Sequence, residues 1–151
     1  MKRHLLGGLI AGALAIPLAA TAALTEGASA PDFKAQASLA GKAFSFSLKE
    51  ALAKGPVVVY FYPSAYTNGC NLQAHTFAEN QQKFTAAGAT VVGVSLDSIA
   101  RLNEFSADPE YCGGKVAVAS DTDGKIARAY ELSVKDAGPG RKDTRGKDID
   151  H

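Results

Sequence analysis

The strongest constraint on the fold of this chain is the unbroken run Val57, Val58, Val59, Tyr60, Phe61 and Tyr62, closed by Pro63. β-Branched and aromatic residues favour a pleated, packed surface. Gly55 and Pro56 bound the run on its other side as turn formers. Apolarity that is continuous rather than alternating is the pattern of a strand covered on both faces. Such a strand is expected at the centre of a sheet sandwiched between helices.

The rest of the chain repeats this grammar. Residues 44–48 alternate apolar and polar, as a short half-buried strand does, and residues 49–54 can make a helical turn. A helix is expected over residues 69–87, with Cys70, Ala74, Phe77 and Phe84 on one face and Gly88 as its stop. Residues 89–95 form a second buried strand. Asp97 or Ser98 can cap a helix over 99–106, with Ile99, Leu102 and Phe105 turned inward. Residues 115–119 give a third strand, Asp121-Thr122-Asp123-Gly124 a tight turn, and 125–132 a short helix. Strands alternating with helices imply an α/β fold around a largely parallel sheet.

The ends differ from this middle. A basic start, an apolar stretch over residues 5–18 and the small-x-small triplet Ala20-Thr21-Ala22 read as a cleavable signal peptide over 1–22. As a membrane anchor the stretch is short, since a span takes about 20 apolar residues. A linker over 23–30, an ordered domain over 31–135 and a polar loop or tail over 136–151 complete the expected organisation. With 16 Lys+Arg against 15 Asp+Glu, no strong field favours nucleic acid or a membrane surface. Export puts the protein in the periplasm or outside the cell, where disulfides can form. The chain carries two cysteines, Cys70 and Cys112.

The segment from Pro63 to Cys70 joins a buried strand to the start of a helix. The first helical turn offers unpaired N–H groups and the positive end of the dipole. Both favour a thiolate over a thiol, and the thiolate is the nucleophile. Thr67, three residues earlier, can bring its hydroxyl beside the sulfur, and Pro63 can wall off water. The bland alternative is a buried, inert cysteine that packs as a small hydrophobe.

Pro63-x-x-x-Thr67-x-x-Cys70 after an apolar strand resembles the active-site motif of the peroxiredoxins. Ser120-Asp121-Thr122-Asp123-Gly124-Lys125 is similar to that family's Ser-Asp-x-x-Gly-Lys segment. The likeness runs from about residue 31 to 132 and is greatest to the bacterioferritin-comigratory, or Q-type, group. It implies a thioredoxin-like fold, with Cys70 as the peroxidatic cysteine and Thr67 and Pro63 as its motif partners. The activity implied is reduction of hydrogen peroxide and organic hydroperoxides. Cys70 would pass through a sulfenic acid, and a thioredoxin-like thiol or dithiol would supply the electrons. No metal or organic cofactor is implied, and the protein is expected as a monomer or weak dimer.

Many Q-type members place the resolving cysteine five residues after the first, and here that position is His75. Others place it on the following helix, to which Cys112 is similar. The resemblance therefore implies a transient Cys70–Cys112 disulfide, with local unfolding of the Cys70 helix start and movement at Gly113-Gly114. A structural or idle Cys112, with an outside thiol resolving Cys70, is the alternative. His75 itself is either a tuning residue of the Cys70 pocket or a surface residue.

One family feature is not found. Related peroxiredoxins pair the thiolate with an Arg from a late strand. Arg128 lies in the helix after the Asp-Gly turn, and Arg141 and Arg145 lie in the polar tail. The expectation is a chain lacking the last two strands and helix, with a free edge beside the 57–62 strand. A thiol–disulfide oxidoreductase is disfavoured because no Cys-x-x-Cys is present. An exported copper-binding or non-catalytic thioredoxin-like protein is the remaining rival.

Overall fold

The computed structural model describes residues 23–135 and 138–149. The expected signal peptide lies outside them. Among the described residues no helix is long and apolar enough to cross a membrane.

A hairpin opens the fold: β1 (Lys34–Leu39) and β2 (Lys42–Ser47) pair antiparallel. They turn at Ala40 and Gly41, both with positive φ (51° and 78°), the backbone a two-residue hairpin turn requires. The remaining elements alternate: α1 (Leu48–Leu52), β3 (Val57–Phe61), α2 (Asn68–Glu79), α3 (Gln81–Ala86), β4 (Thr90–Ser95), α4 (Ile99–Ala107), β5 (Ala117–Ser120) and α5 (Lys125–Ala129). The strand order is β2-β1-β5-β4-β3. β3, β4 and β5 run parallel, whereas β1 is antiparallel to both β2 and β5. The α/β fold with helices on both faces is as the sequence indicates, but the sheet is mixed.

β3 is an outer strand, paired on β4 alone among the described residues, with the free edge expected beside the 57–62 strand, and Val57, Val58 and Val59 are only half-buried. An apolar run shows that both faces are covered but not which strand lies alongside. The β1 strand, Lys-Ala-Gln-Ala-Ser-Leu, was not anticipated because it has no apolar run. The helix over 69–87 breaks at Asn80, whose side-chain amide donates to the Thr76 carbonyl at 2.9 Å. Such local bonds compete with the helical ladder.

Each sheet face carries its own core. On one, Tyr60, Tyr62, Ala74, Ala78, Leu102, Phe105, Val116 and Val118 pack together with both cysteines. On the other, Phe33, Phe46, Leu48, Val92, Val94 and Ala119 pack against Ile126 and Tyr130. Gly93 faces the first core. A Cβ there would stand 2.6 Å from Tyr60 Cζ and 2.9 Å from Tyr62 Cε1. Only a residue without a side chain lets both rings lie over β4.

Candidate active site

β3 ends at Phe61, and the chain must then turn from sheet to helix in the six residues 62–67. Tyr62 still donates its amide to Val94 O at 3.1 Å. Ser64, Ala65 and Tyr66 are then buried, an unusual state for a loop. Burial is costly unless the backbone polar groups find partners. Here they do. The Ala65 N–H donates to Asp97 Oδ2 at 2.7 Å, and Ala65 O accepts from Arg101 Nη2 at 2.9 Å. Tyr66 O accepts from the Thr144 amide at 2.8 Å.

Asp97 is the hub. Its side chain has no solvent exposure, and it also accepts from Ser64 Oγ at 3.0 Å and Ser95 Oγ at 2.8 Å. Arg101 Nε lies 2.9 Å from Oδ1 as an ion pair, without the alignment of a hydrogen bond. Arg101 reaches on to Asp143 at 2.8 Å, and Asp143 pairs with Arg145 at 2.9 Å. Burial pushes the Asp143 carboxyl up, but hydrogen bonds from Arg145 and from the Lys147 and Arg145 amides hold it below the usual carboxylate range. The Arg145 guanidinium lies over the Tyr66 ring, 3.2 Å from its centroid, in cation–π contact. Tyr66 needs such support, because its φ of 61° is left-handed and costs a side-chain-bearing residue about 1–3 kcal/mol.

This scaffold delivers the expected residues as follows. Thr67 is the N-cap of α2, with φ −113° and ψ 147°. Its hydroxyl does not cap the helix; it donates to Ser64 O at 2.9 Å. Cys70 falls in the first turn of α2, is buried, and has no acidic residue in that turn. Pro63 and Thr67 line a cavity of about 530 Å³, with Phe61, Val94, Leu132 and Ile149 among its apolar walls and Arg141 also lining it. Cys70 is not among the cavity's lining residues and packs with the core on the other side of the loop.

Cys112 sits in a run of turns after α4, with no exposed surface. Both cysteines are free thiols. Burial, helped by the Asp108 carboxylate, pushes the Cys112 thiol up to about 12. Both cysteines belong to the same core cluster as Tyr60. Its phenol is raised well above the usual value by burial first, and then by Cys112 and Cys70. His75 does not enter the cavity. Its Nδ1 lies 3.0 Å from Glu110 O, and its Nε2 3.3 Å from Glu79.

Sequence reasoning missed the clamp formed by Asp97, Arg101, Asp143 and Arg145. Asp97 appeared there only as a candidate helix cap; Ser98 takes that place, accepting from the Arg101 amide. The second motif proves structural: Asp121 accepts from the Ile126 and Ala127 amides and so caps α5. Gly124 supplies the left-handed turn before it, with φ 65°. Among the described residues no group of three or more His, Cys, Asp or Glu stands together as metal ligands would.

Residues 27–145 match the AhpC/TSA family. The chain is 42% identical over 82 residues to the chloroplastic peroxiredoxin Q of Oryza sativa subsp. japonica, covering 54% of this chain and 36% of that protein. It is 37% identical over 112 residues to the Helicobacter pylori protein called peroxiredoxin bcp, covering 74% and 69%. The crystal structure of peroxidoxin BcpB from Mycobacterium tuberculosis superposes with a TM-score of 0.64 at 28% identity, over 74% of this chain and 69% of that one. Thus the chain spans about a third of the length of the rice relative and about two thirds of the bacterial ones.

Proposed function

Since the chain belongs to the AhpC/TSA family, on its peroxiredoxin Q/bcp side, we propose that it is an exported thiol peroxidase that reduces hydrogen peroxide and organic hydroperoxides through Cys70. The observation that carries this reading is the placement of Cys70 in the first turn of α2, behind a buried loop clamped by Asp97 and Arg101. Helix-start N–H groups there can steady negative charge on the sulfur and on the departing oxygen.

In the first step the Cys70 thiolate attacks one peroxide oxygen and the O–O bond breaks. Sulfur keeps that oxygen as a sulfenic acid, and the other oxygen takes a proton and leaves as water or alcohol. Thr67 supplies the hydroxyl three residues before Cys70; to donate to a reacting oxygen it gives up its bond to Ser64 O. In the second step the Cys112 thiol attacks the Cys70 sulfur, water leaves, and a disulfide forms. A thioredoxin-like dithiol then reduces it. Cys112 is buried and held as the neutral thiol, so this second step requires opening of the fold around it.

The test is peroxide consumption coupled to a dithiol reductant, using the chain and its Cys70→Ser variant. Turnover lost in Cys70→Ser is the expected result. A variant that consumes peroxide as fast as the parent would refute the assignment. The copper-binding alternative gains no specific support, since both His75 nitrogens already face oxygen acceptors.

A further inference from the structure

The turn that carries Cys112 is tied to the Cys70 element on both sides, by its own chain neighbours. Glu110, two residues before Cys112, gives its carbonyl to His75 Nδ1 at 3.0 Å. His75 stands five residues past Cys70 on α2. Tyr111, directly before Cys112, sets its ring edge-on to Tyr66, with centroids 5.6 Å apart and planes at 84°. Tyr66 stands four residues before Cys70. Tyr111 also stacks on Phe105 of α4 at 5.6 Å. One tie thus flanks Cys70 on the helix side and the other on the loop side.

The turn itself is held by short-range bonds. The amides of Tyr111 and Gly113 donate to Asp108 O, that of Gly114 to Ser106 O, and that of Lys115 to Cys112 O. None of these belongs to a sheet ladder. Gly113 and Gly114 follow with φ of 55° and 70°, a backbone that glycine adopts without strain. The segment is therefore built to move as a piece between the end of α4 and β5, once its ties to the Cys70 side let go.

We propose that His75 and Tyr111 are positioning residues for the second chemical step, latching the Cys112 turn against the Cys70 helix start and so setting how fast the disulfide forms. This rests on the reading that Cys112 resolves Cys70. The step balances as above: the Cys112 sulfur bonds to the Cys70 sulfur, the sulfenic oxygen leaves as water, and the thiol proton goes with it. A tight latch prolongs the sulfenic acid and gives a second peroxide time to convert it to the sulfinic acid. A loose latch shortens that window.

The experiment follows the intact chain after one equivalent of peroxide. Samples are quenched with an alkylating agent at millisecond intervals, and mass spectrometry counts sulfenic acid, disulfide and sulfinic acid. His75→Ala removes one hydrogen bond, whose net value corresponds to about a threefold to tenfold rise in the disulfide-forming rate. The fraction lost to sulfinic acid under excess peroxide falls with it. His75→Asn keeps a side-chain donor near the Nδ1 position and restores the parental rate, which a merely destabilising change at this site would not do. Tyr111→Leu loosens the second tie in the same direction. A disulfide that forms in His75→Ala at the parental rate or slower overturns the latch. A parent chain that holds Cys70 as sulfenic acid with Cys112 free overturns instead the resolving role beneath it.

Discussion

Replacing Asp97 with Asn tests the scaffold of the site with almost no change in volume. The carboxylate serves four groups: Ser64 Oγ, the Ala65 N–H, Ser95 Oγ and the Arg101 guanidinium. An amide has one oxygen. If that oxygen faces Ala65 and Ser95, the NH₂ group points its hydrogens at Arg101. Flipped, it points them at the Ala65 N–H. Either way a buried donor faces a donor, and Arg101 keeps only Asp143 as its carboxylate. Removing one partner from a buried pair costs about 3–5 kcal/mol. Against a total stability of about 5–15 kcal/mol for a domain, that is a large share. Urea unfolding of the parent and Asp97→Asn, read by far-UV dichroism, measures it. Ser95→Ala provides the scale, since losing one hydroxyl donor costs about 0.5–1.5 kcal/mol. An Asp97→Asn chain within 1 kcal/mol of the parent would show that the loop does not depend on this hub.

Two further outcomes follow from burial. Gly93→Ala puts a methyl against the Tyr60 ring, which is stacked on Phe77 and Tyr62. Overpacking of this kind costs about 1–3 kcal/mol, a fall in Tm of roughly 3–10 °C; a melting curve unchanged to within a degree refutes the close packing. The second concerns alkaline pH. The Cys112 thiol is raised in the folded chain from 9.0 to about 12, so the unfolded chain loses this proton first. Its contribution to stability is fully present below pH 9 and lost as pH rises through 12, with about 1.4 kcal/mol gone by pH 10. Cys112→Ser should flatten the pH 8–10 part of the stability profile by that amount, and identical profiles would mean that Cys112 is not buried as described.

What the sequence made legible follows from how far its signals reach. The α/β alternation is written in apolar runs, and β3, β4, α2 and α4 emerge near their expected places. The Pro63–Thr67–Cys70 constellation is contiguous, so its spacing alone puts Cys70 at a helix start. β1 escapes because Ala37 and Ser38 are small and Ser38 is polar, yet both are fully buried. Among the described residues, the Ser38 hydroxyl pairs with the distant Ser106 hydroxyl at 2.8 Å. The clamp escapes for a similar reason. Asp97 and Arg101 look like an ordinary exposed i,i+4 pair, and nothing local links them to Ala65 or Asp143. Asp143 itself sits in a polar stretch, and its burial depends on Arg101 and Arg145 both reaching its Oδ2.

The two cysteine segments are held with unequal strength, and this gives the latch its direction. The sequence places movement on both sides, at Gly113-Gly114 and through local unfolding of the Cys70 helix start. That side is anchored by a buried ionic network, with Asp97 holding Ser64 and Ala65, Arg101 holding the Ala65 carbonyl, and Thr144 and Arg145 holding Tyr66. Breaking into such a network exposes unpaired buried charge, which is among the costliest local events in a fold. The Cys112 side is anchored by one partly exposed imidazole contact, two ring contacts of Tyr111, the backbone bonds of its own turn, of which the Gly114 amide reaches Ser106 O of α4, and the burial of the cysteine itself. Ring pairs of this sort contribute about 0.5–1.5 kcal/mol each, and a hydrogen bond about as much. Local opening follows the cheaper route. On the proposed reading, in which Cys112 resolves Cys70, the Cys112 turn is the segment that moves toward Cys70, while the clamped loop over 62–67 keeps its geometry.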